Sequence, residues 1–179
     1  MNYTFHNIKN IEDKWYKTYR DIYTVSFPIF EQRNEMQQKK AFESEAYHLL
    51  IATENEKFLS FISYWEFENY IYIEHLAVNP EYRGQNIGSE TLHLFAKKIQ
   101  KTVILEIDPP VDEISQKRLR FYEALGYKLN SFVHYHPAYN PAEYKPHELR
   151  VLSLDRQLEI GEFNLFKQQL ETIVMNNYL

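Results

Sequence analysis

The sequence predicts a layered α/β domain of the α+β kind, with helices packed on a mixed and mostly antiparallel sheet. Three observations predict it. A short strand and two helical stretches precede three strand-like segments joined by tight turns. The chain then alternates strand, helix, strand, helix, strand, strand. A helical crossover connects Tyr70 to Val78 with Val103 to Ile107, which predicts that these two strands are parallel neighbours. Helices and strands mixed in this way build layers of helix on sheet.

Taken in order, Asn2 to Ile8 has the length of a first strand. Ile11 to Val25 has helical spacing, with Trp15, Tyr19, Ile22 and Tyr23 on one side, and Phe27-Pro28-Ile29-Phe30 interrupts it. Gln32 to Phe42 is polar and reads as a second helix. Tyr47 to Thr53 and Lys57 to Trp65 form a hairpin around Glu54-Asn55-Glu56. Tyr70 to Val78 continues that meander and ends at Asn79-Pro80. The next helix carries Leu92, Phe95, Ala96 and Ile99 on one stripe. Pro109-Pro110 stops the strand Val103 to Ile107. Asp112 caps a helix whose stripe is Ile114, Arg118, Phe121, Tyr122 and Leu125, and Gly126 ends it. Tyr127 to His136 and Glu148 to Leu154 read as the last strands. Glu162 to Met175 is an amphipathic tail helix.

A length of 179 residues suits a single domain, 1–179, with the C-terminal helix (about 156–179) as an appendage. An apolar fraction of 44 % is ample for a core, and there is no repeat or low-complexity tract. A net charge of −5 disfavours a nucleic-acid partner bound through phosphate neutralisation. The absence of cysteine excludes disulfides, Cys-ligated zinc and a cysteine nucleophile. No window approaches the roughly 18 apolar residues of a membrane span, and the N-terminus lacks a signal-like apolar core. A soluble cytoplasmic protein with no membrane partner is the expectation.

The stretch with most chemistry is Leu76-Ala-Val-Asn-Pro-Glu-Tyr-Arg-Gly-Gln-Asn-Ile-Gly88. A strand, a turn of bare amides and a helix N-terminus form an anion site in principle. This stretch resembles the pyrophosphate motif of the GNAT superfamily of acetyl-CoA-dependent N-acetyltransferases. Arg83, Gly84, Ile87 and Gly88 match, whereas Asn86 stands at the usual middle glycine. Asn tolerates the left-handed backbone best after glycine. Arg120-Phe-Tyr-Glu-Ala-Leu-Gly-Tyr127 is similar to the family's second segment, with Ser115 where an Asn is common.

The resemblance implies the GNAT fold, with acetyl-CoA as cosubstrate in a gap between two splayed parallel central strands. Leu76, Ala77 and Val78 would carry the pantetheine arm. The pyrophosphate would lie on Gln85, Asn86, Ile87, Gly88 and Ser89, beside Arg83 and Gly84, and Ser115 would also face the cofactor. It further implies acetyl transfer to an amine of a small molecule or peptide by direct attack in a ternary complex. Tyr122 would protonate the leaving thiolate, and a backbone N–H near Leu76 or Ala77 would hold the oxyanion.

An aliphatic amine has a pKa near ~10, so a base is needed at neutral pH. Glu74 and Glu106 are the candidates. With period two, Glu74 shares a face with Tyr72 and Leu76. Glu106 interrupts an apolar run, where a carboxylate is unusual unless paired or useful. His134 and His136 share one side of a strand, but no third metal ligand can be placed, so no metal is expected. Phe27, Phe30 and Trp65 are candidates for an acceptor pocket and equally for the core. The alternative to an enzyme is a CoA-binding sensor or interaction module on the same fold, motivated by Asn86 and Ser115. The tail stripe fits docking on the domain and a homodimer contact equally.

Overall fold

The computed structural model describes residues 2–175, so the last four residues of the expected tail appendage lie outside the described residues. The chain divides into two compact units at Lys101/Thr102.

The first unit is a four-stranded antiparallel meander: β1 (Thr4–Ile8), β2 (Tyr47–Glu54), β3 (Lys57–Glu66) and β4 (Tyr70–Val78). The hairpin turn between β2 and β3 has both Asn55 (φ 49°) and Glu56 (φ 59°) in the left-handed region. That backbone matches the twist of the flanking strands. Helix α1 (Tyr16–Ser26) starts later than its apolar spacing implies, and α2 (Glu35–Glu43) follows its N-cap, Asn34. Asn34 makes a capping box with Gln37.

The two faces of β3 explain the layers. Phe61 meets the rings of Tyr19 and Tyr23 from α1. On the opposite face, Ser60 bonds Thr91 (2.7 Å) and Tyr64 packs on Phe95, both from α3 (Ile87–Lys97). Strand residues alternate faces, so α1 and α3 lie on opposite sides of the meander.

Burial raises the pKa of the phenols in this core. Tyr47 and Tyr64 are pushed up to about 12, with burial the main cause for each. Tyr19, Tyr23 and Tyr70 are raised for the same reason. An exposed phenol in the unfolded chain titrates near ~10. The stability held by neutral buried tyrosines is therefore intact below about pH 10 and is lost as pH climbs from 10 through 12. Denaturant midpoints measured against pH are expected to be flat to about pH 10, then to fall together with tyrosinate absorbance.

The second unit pairs β5 (Thr102–Ile107) and β6 (Tyr127–Leu129) with opposite edges of β8 (His147–Leu154). Strand β7 (His134–His136) pairs with the start of β8. The single strand expected over Tyr127 to His136 is thus two strands. Asn130 breaks it: its Nδ2 donates to Val151 O and Ser153 Oγ, and its Oδ1 accepts from Leu158 N. A buried side chain that replaces main-chain bonds ends regular pairing.

Helix α4 (Glu113–Ala124) is capped by Asp112, and Gly126 follows it at φ +93°. Ile114, expected on the buried stripe, is 72 % exposed because the helix begins beside it. Helix α5 (Ile160–Gln169) continues through a π-helical turn, Leu170–Val174. Phe163, Phe166, Leu170 and Val174 are buried, while Ile173 of the expected stripe is partly exposed.

Candidate active site

The turn after β4 has the geometry of an anion cradle. Gly84 has φ +78°, and a Cβ there would meet nothing within 4 Å. Asn86 is left-handed (φ 59°, ψ 10°) and is the N-cap of α3, with no side-chain cap bond. The first intrahelical bond is Glu90 N to Asn86 O, 3.1 Å. The amides of Ile87, Gly88 and Ser89 precede it and have no helical acceptor. Gln85 and Asn86 are exposed, so the helix N-terminus opens to solvent with its dipole favouring an anion.

Arg83 is exposed beside this cradle. Its Nε donates to Val78 O (3.3 Å) and a terminal nitrogen donates to Ser26 Oγ (3.1 Å). These contacts hold the guanidinium next to the turn. Ala77 is buried, while Leu76 and Val78 are half-buried.

Glu74 lies at a β-bulge. Ser63 pairs with His75 and Tyr64 pairs with Ile73, so Glu74 is the extra residue. A bulge breaks the two-residue alternation and re-aims a side chain. Glu74 therefore does not share a face with Leu76, as period two implies. Its carboxylate is 0 % exposed and meets Arg33 at 2.6 Å. Its second oxygen accepts from Trp65 Nε1 at 2.8 Å. The Arg33 guanidinium lies over the rings of Tyr47 and Trp65, 5.1 and 5.4 Å from their centroids. The main-chain N–H of Arg33 donates to Tyr23 Oη at 2.8 Å. Glu74 is thus one half of a buried ion pair in an aromatic box, and Trp65 is core rather than pocket wall.

His75 is also buried. Its Nε2 donates to Glu31 O (3.0 Å), leaving Nδ1 to accept from Ser63 Oγ (3.2 Å). Tyr23 and Phe27 flank it edge-on. Neither Arg33 nor His75 carries a motif in sequence. The one available signal was that a carboxylate in an apolar strand requires a cation.

In the second unit, the Glu106 side chain is 5 % exposed. One oxygen bonds His134 Nε2, and the other lies 3.7 Å from His136 Nε2. The two histidines face the same side, as their spacing implies. No group of three or more His, Asp or Glu among the described residues has metal-binding geometry. Tyr122 on α4 stacks edge-on against Phe121 and Tyr127. It keeps some open surface, yet burial pushes its hydroxyl up to about 12, opposed by Arg118.

Ser115 is the third residue of α4. Its N–H and hydroxyl both donate to Asp112, and the hydroxyl accepts from Asp112 N. The hydroxyl is therefore engaged in a capping box rather than offered to a cofactor.

Residues 13–127 match the family model of the GNAT acetyltransferases. The chain belongs to the GNAT acetyltransferase family. This GNAT chain is 31 % identical over 107 residues to YjbC of Bacillus subtilis, whose name assigns it provisionally to the acetyltransferases. That match covers 57 % of this chain and 52 % of YjbC, about half of the relative's length. A GNAT-family protein from Bacteroides thetaiotaomicron superposes with a TM-score of 0.88 at 26 % identity, covering 96 % of this chain and 98 % of that one. A GNAT acetyltransferase from Elizabethkingia anophelis with acetyl-CoA bound has a TM-score of 0.56 at 13 % identity, over 87 % and 99 % of the two chains. The mixed α/β class expected from sequence is the class of these neighbours, and among the described residues no helix is long and apolar enough to cross a membrane.

Proposed function

We propose that this GNAT protein transfers the acetyl group of acetyl-CoA to an amine of a small molecule or peptide, by direct attack in a ternary complex. The observation that carries the reading is the turn Arg83–Ser89. It joins a left-handed Asn86, three amides without helical acceptors and an adjacent guanidinium. The Elizabethkingia neighbour binds acetyl-CoA on the same fold.

The turn takes the pyrophosphate, with Arg83 adding charge-assisted bonds. Leu76, Ala77 and Val78 guide the pantetheine arm. The acceptor ammonium gives one proton to a base, and the free amine attacks the thioester carbon. The C–N bond forms and the C–S bond breaks. Tyr122 protonates the departing thiolate and recovers its proton from the new amide nitrogen through solvent. One proton is released per turnover.

Of the two base candidates, Glu106 fits better. Both oxygens of Glu74 are committed to Arg33 and Trp65, with none of the side chain exposed. Glu106 instead faces two imidazoles, those of His134 and His136.

The cradle is tested by Arg83→Ala. Removing charge-assisted bonds worth about 1.5–3 kcal/mol is expected to weaken acetyl-CoA binding by roughly 10- to 100-fold. Calorimetry with acetyl-CoA measures it, and unchanged affinity would end the pyrophosphate assignment.

A further inference from the structure

The guanidinium of Arg83 is tied at two points to parts of the fold outside its own turn. Nε donates to Val78 O at 3.3 Å, and a terminal nitrogen donates to Ser26 Oγ at 3.1 Å, 57 positions earlier in the chain. A guanidinium carries five N–H donors in one rigid plane. Two of them are engaged here, and among the described residues no carboxylate forms an ion pair with Arg83. The other donors and the charge remain for an anion.

Both anchor points are firm. Val78 is the last residue of β4 and pairs with Ser60 of β3. Just beyond it, Asn79 N bonds Leu59 O at 2.8 Å and Asn79 Nδ2 donates to Phe58 O at 2.9 Å. Ser26 is the last residue of α1. The next residue, Phe27, bonds Tyr23 O through its N–H at 3.2 Å and packs edge-on against His75 at 4.6 Å. Its carbonyl accepts from Gln32 Nε2 at 2.6 Å. The hydroxyl of Ser26 is therefore carried on a helix end that is fixed by its neighbours.

The second tie matters because Arg83 is exposed. Arginine has one of the largest side-chain entropies, and ordering such a chain when a ligand arrives weakens binding. A single bond at Nε lets the fork swing about that contact. A second bond at the far end of the fork fixes its plane, and directional bonds to phosphate depend on that plane.

We propose that Ser26 is a positioning residue for acetyl-CoA: its hydroxyl oxygen sets the plane of the Arg83 guanidinium, so that the remaining N–H donors are ordered beside the turn before the pyrophosphate arrives. Ser26 has this role only if the turn takes the pyrophosphate, as proposed above. No motif marks it, since its partner is distant in sequence.

Calorimetric titration of acetyl-CoA into the full chain tests this with Ser26→Ala, Ser26→Thr, Arg83→Ala and the double variant Ser26→Ala/Arg83→Ala. Ser26→Ala is expected to weaken binding by about 3- to 10-fold, the effect of one hydrogen bond. Ser26→Thr keeps the hydroxyl and is expected to bind like wild type. With Arg83 already replaced by alanine, Ser26→Ala should cost no further affinity, because residues that act through one contact are not additive. Ser26→Ala with wild-type affinity, beside a weakened Arg83→Ala, overturns the role of Ser26 and leaves the pyrophosphate reading standing. An equal loss from Ser26→Ala with and without Arg83 also overturns it, since Ser26 would then act on packing and not through the guanidinium. Unchanged affinity in Arg83→Ala ends both readings together.

Discussion

Arg33→Met is expected to cost about 3–5 kcal/mol of stability, because it removes the guanidinium that meets the buried Glu74 carboxylate. The side chains of the pair are 1 % and 0 % exposed and meet at 2.6 Å. Trp65 would remain as a donor, but a neutral indole N–H does not replace a guanidinium. For a chain of this size each kcal/mol moves the melting temperature by about 2–4 °C, so a drop of roughly ten degrees follows. Combining Arg33→Met with Glu74→Gln should cost less than the two single changes added, since neither charge is then stranded. Urea denaturation of the three variants measures this. A single-variant loss below about 1 kcal/mol would show that the pair does not hold the segment before α2 onto the β4 bulge.

Tyr122→Phe is expected to lower kcat by about 10²- to 10⁴-fold while leaving the KM for acetyl-CoA nearly unchanged. A proton donor acts in the transition state, so its loss falls on kcat. Burial pushes the hydroxyl up to about 12, so the phenol is fully protonated at neutral pH and gives no pH dependence of its own below about pH 10. Phenylalanine keeps the ring contacts with Phe121 and Tyr127, which separates chemistry from packing. Steady-state kinetics on a good amine substrate decides it. A variant with wild-type kcat would remove Tyr122 from the acid role.

Much of the fold was legible because it follows local rules. The bounds of β4 are those read from sequence, and Asp112 and Gly126 sit at helix ends as their chemistry requires. The left-handed backbone of Asn86 was legible too, since asparagine replaces glycine in a motif that needs positive φ. What escaped depends on long-range geometry. The bulge that turns Glu74 away from Leu76 is a register shift between β3 and β4, and period two has no term for it. Arg33 lies 41 positions before Glu74 in a polar segment, with nothing local to mark it as buried. Ser115 stands where the family often has an Asn, and a local rule, the capping box, engages its hydroxyl. Asn130 likewise splits a strand that its sequence alone would extend.

The most direct measurement of the central claim is thiol release from acetyl-CoA by the full chain over a panel of small-molecule and peptide amines. Amine-dependent release is expected to rise with acetyl-CoA to saturation, with one acetylated amine formed per thiol. Tight binding of acetyl-CoA with no amine-dependent release across the panel would contradict it and would identify a CoA-binding module on the GNAT fold instead.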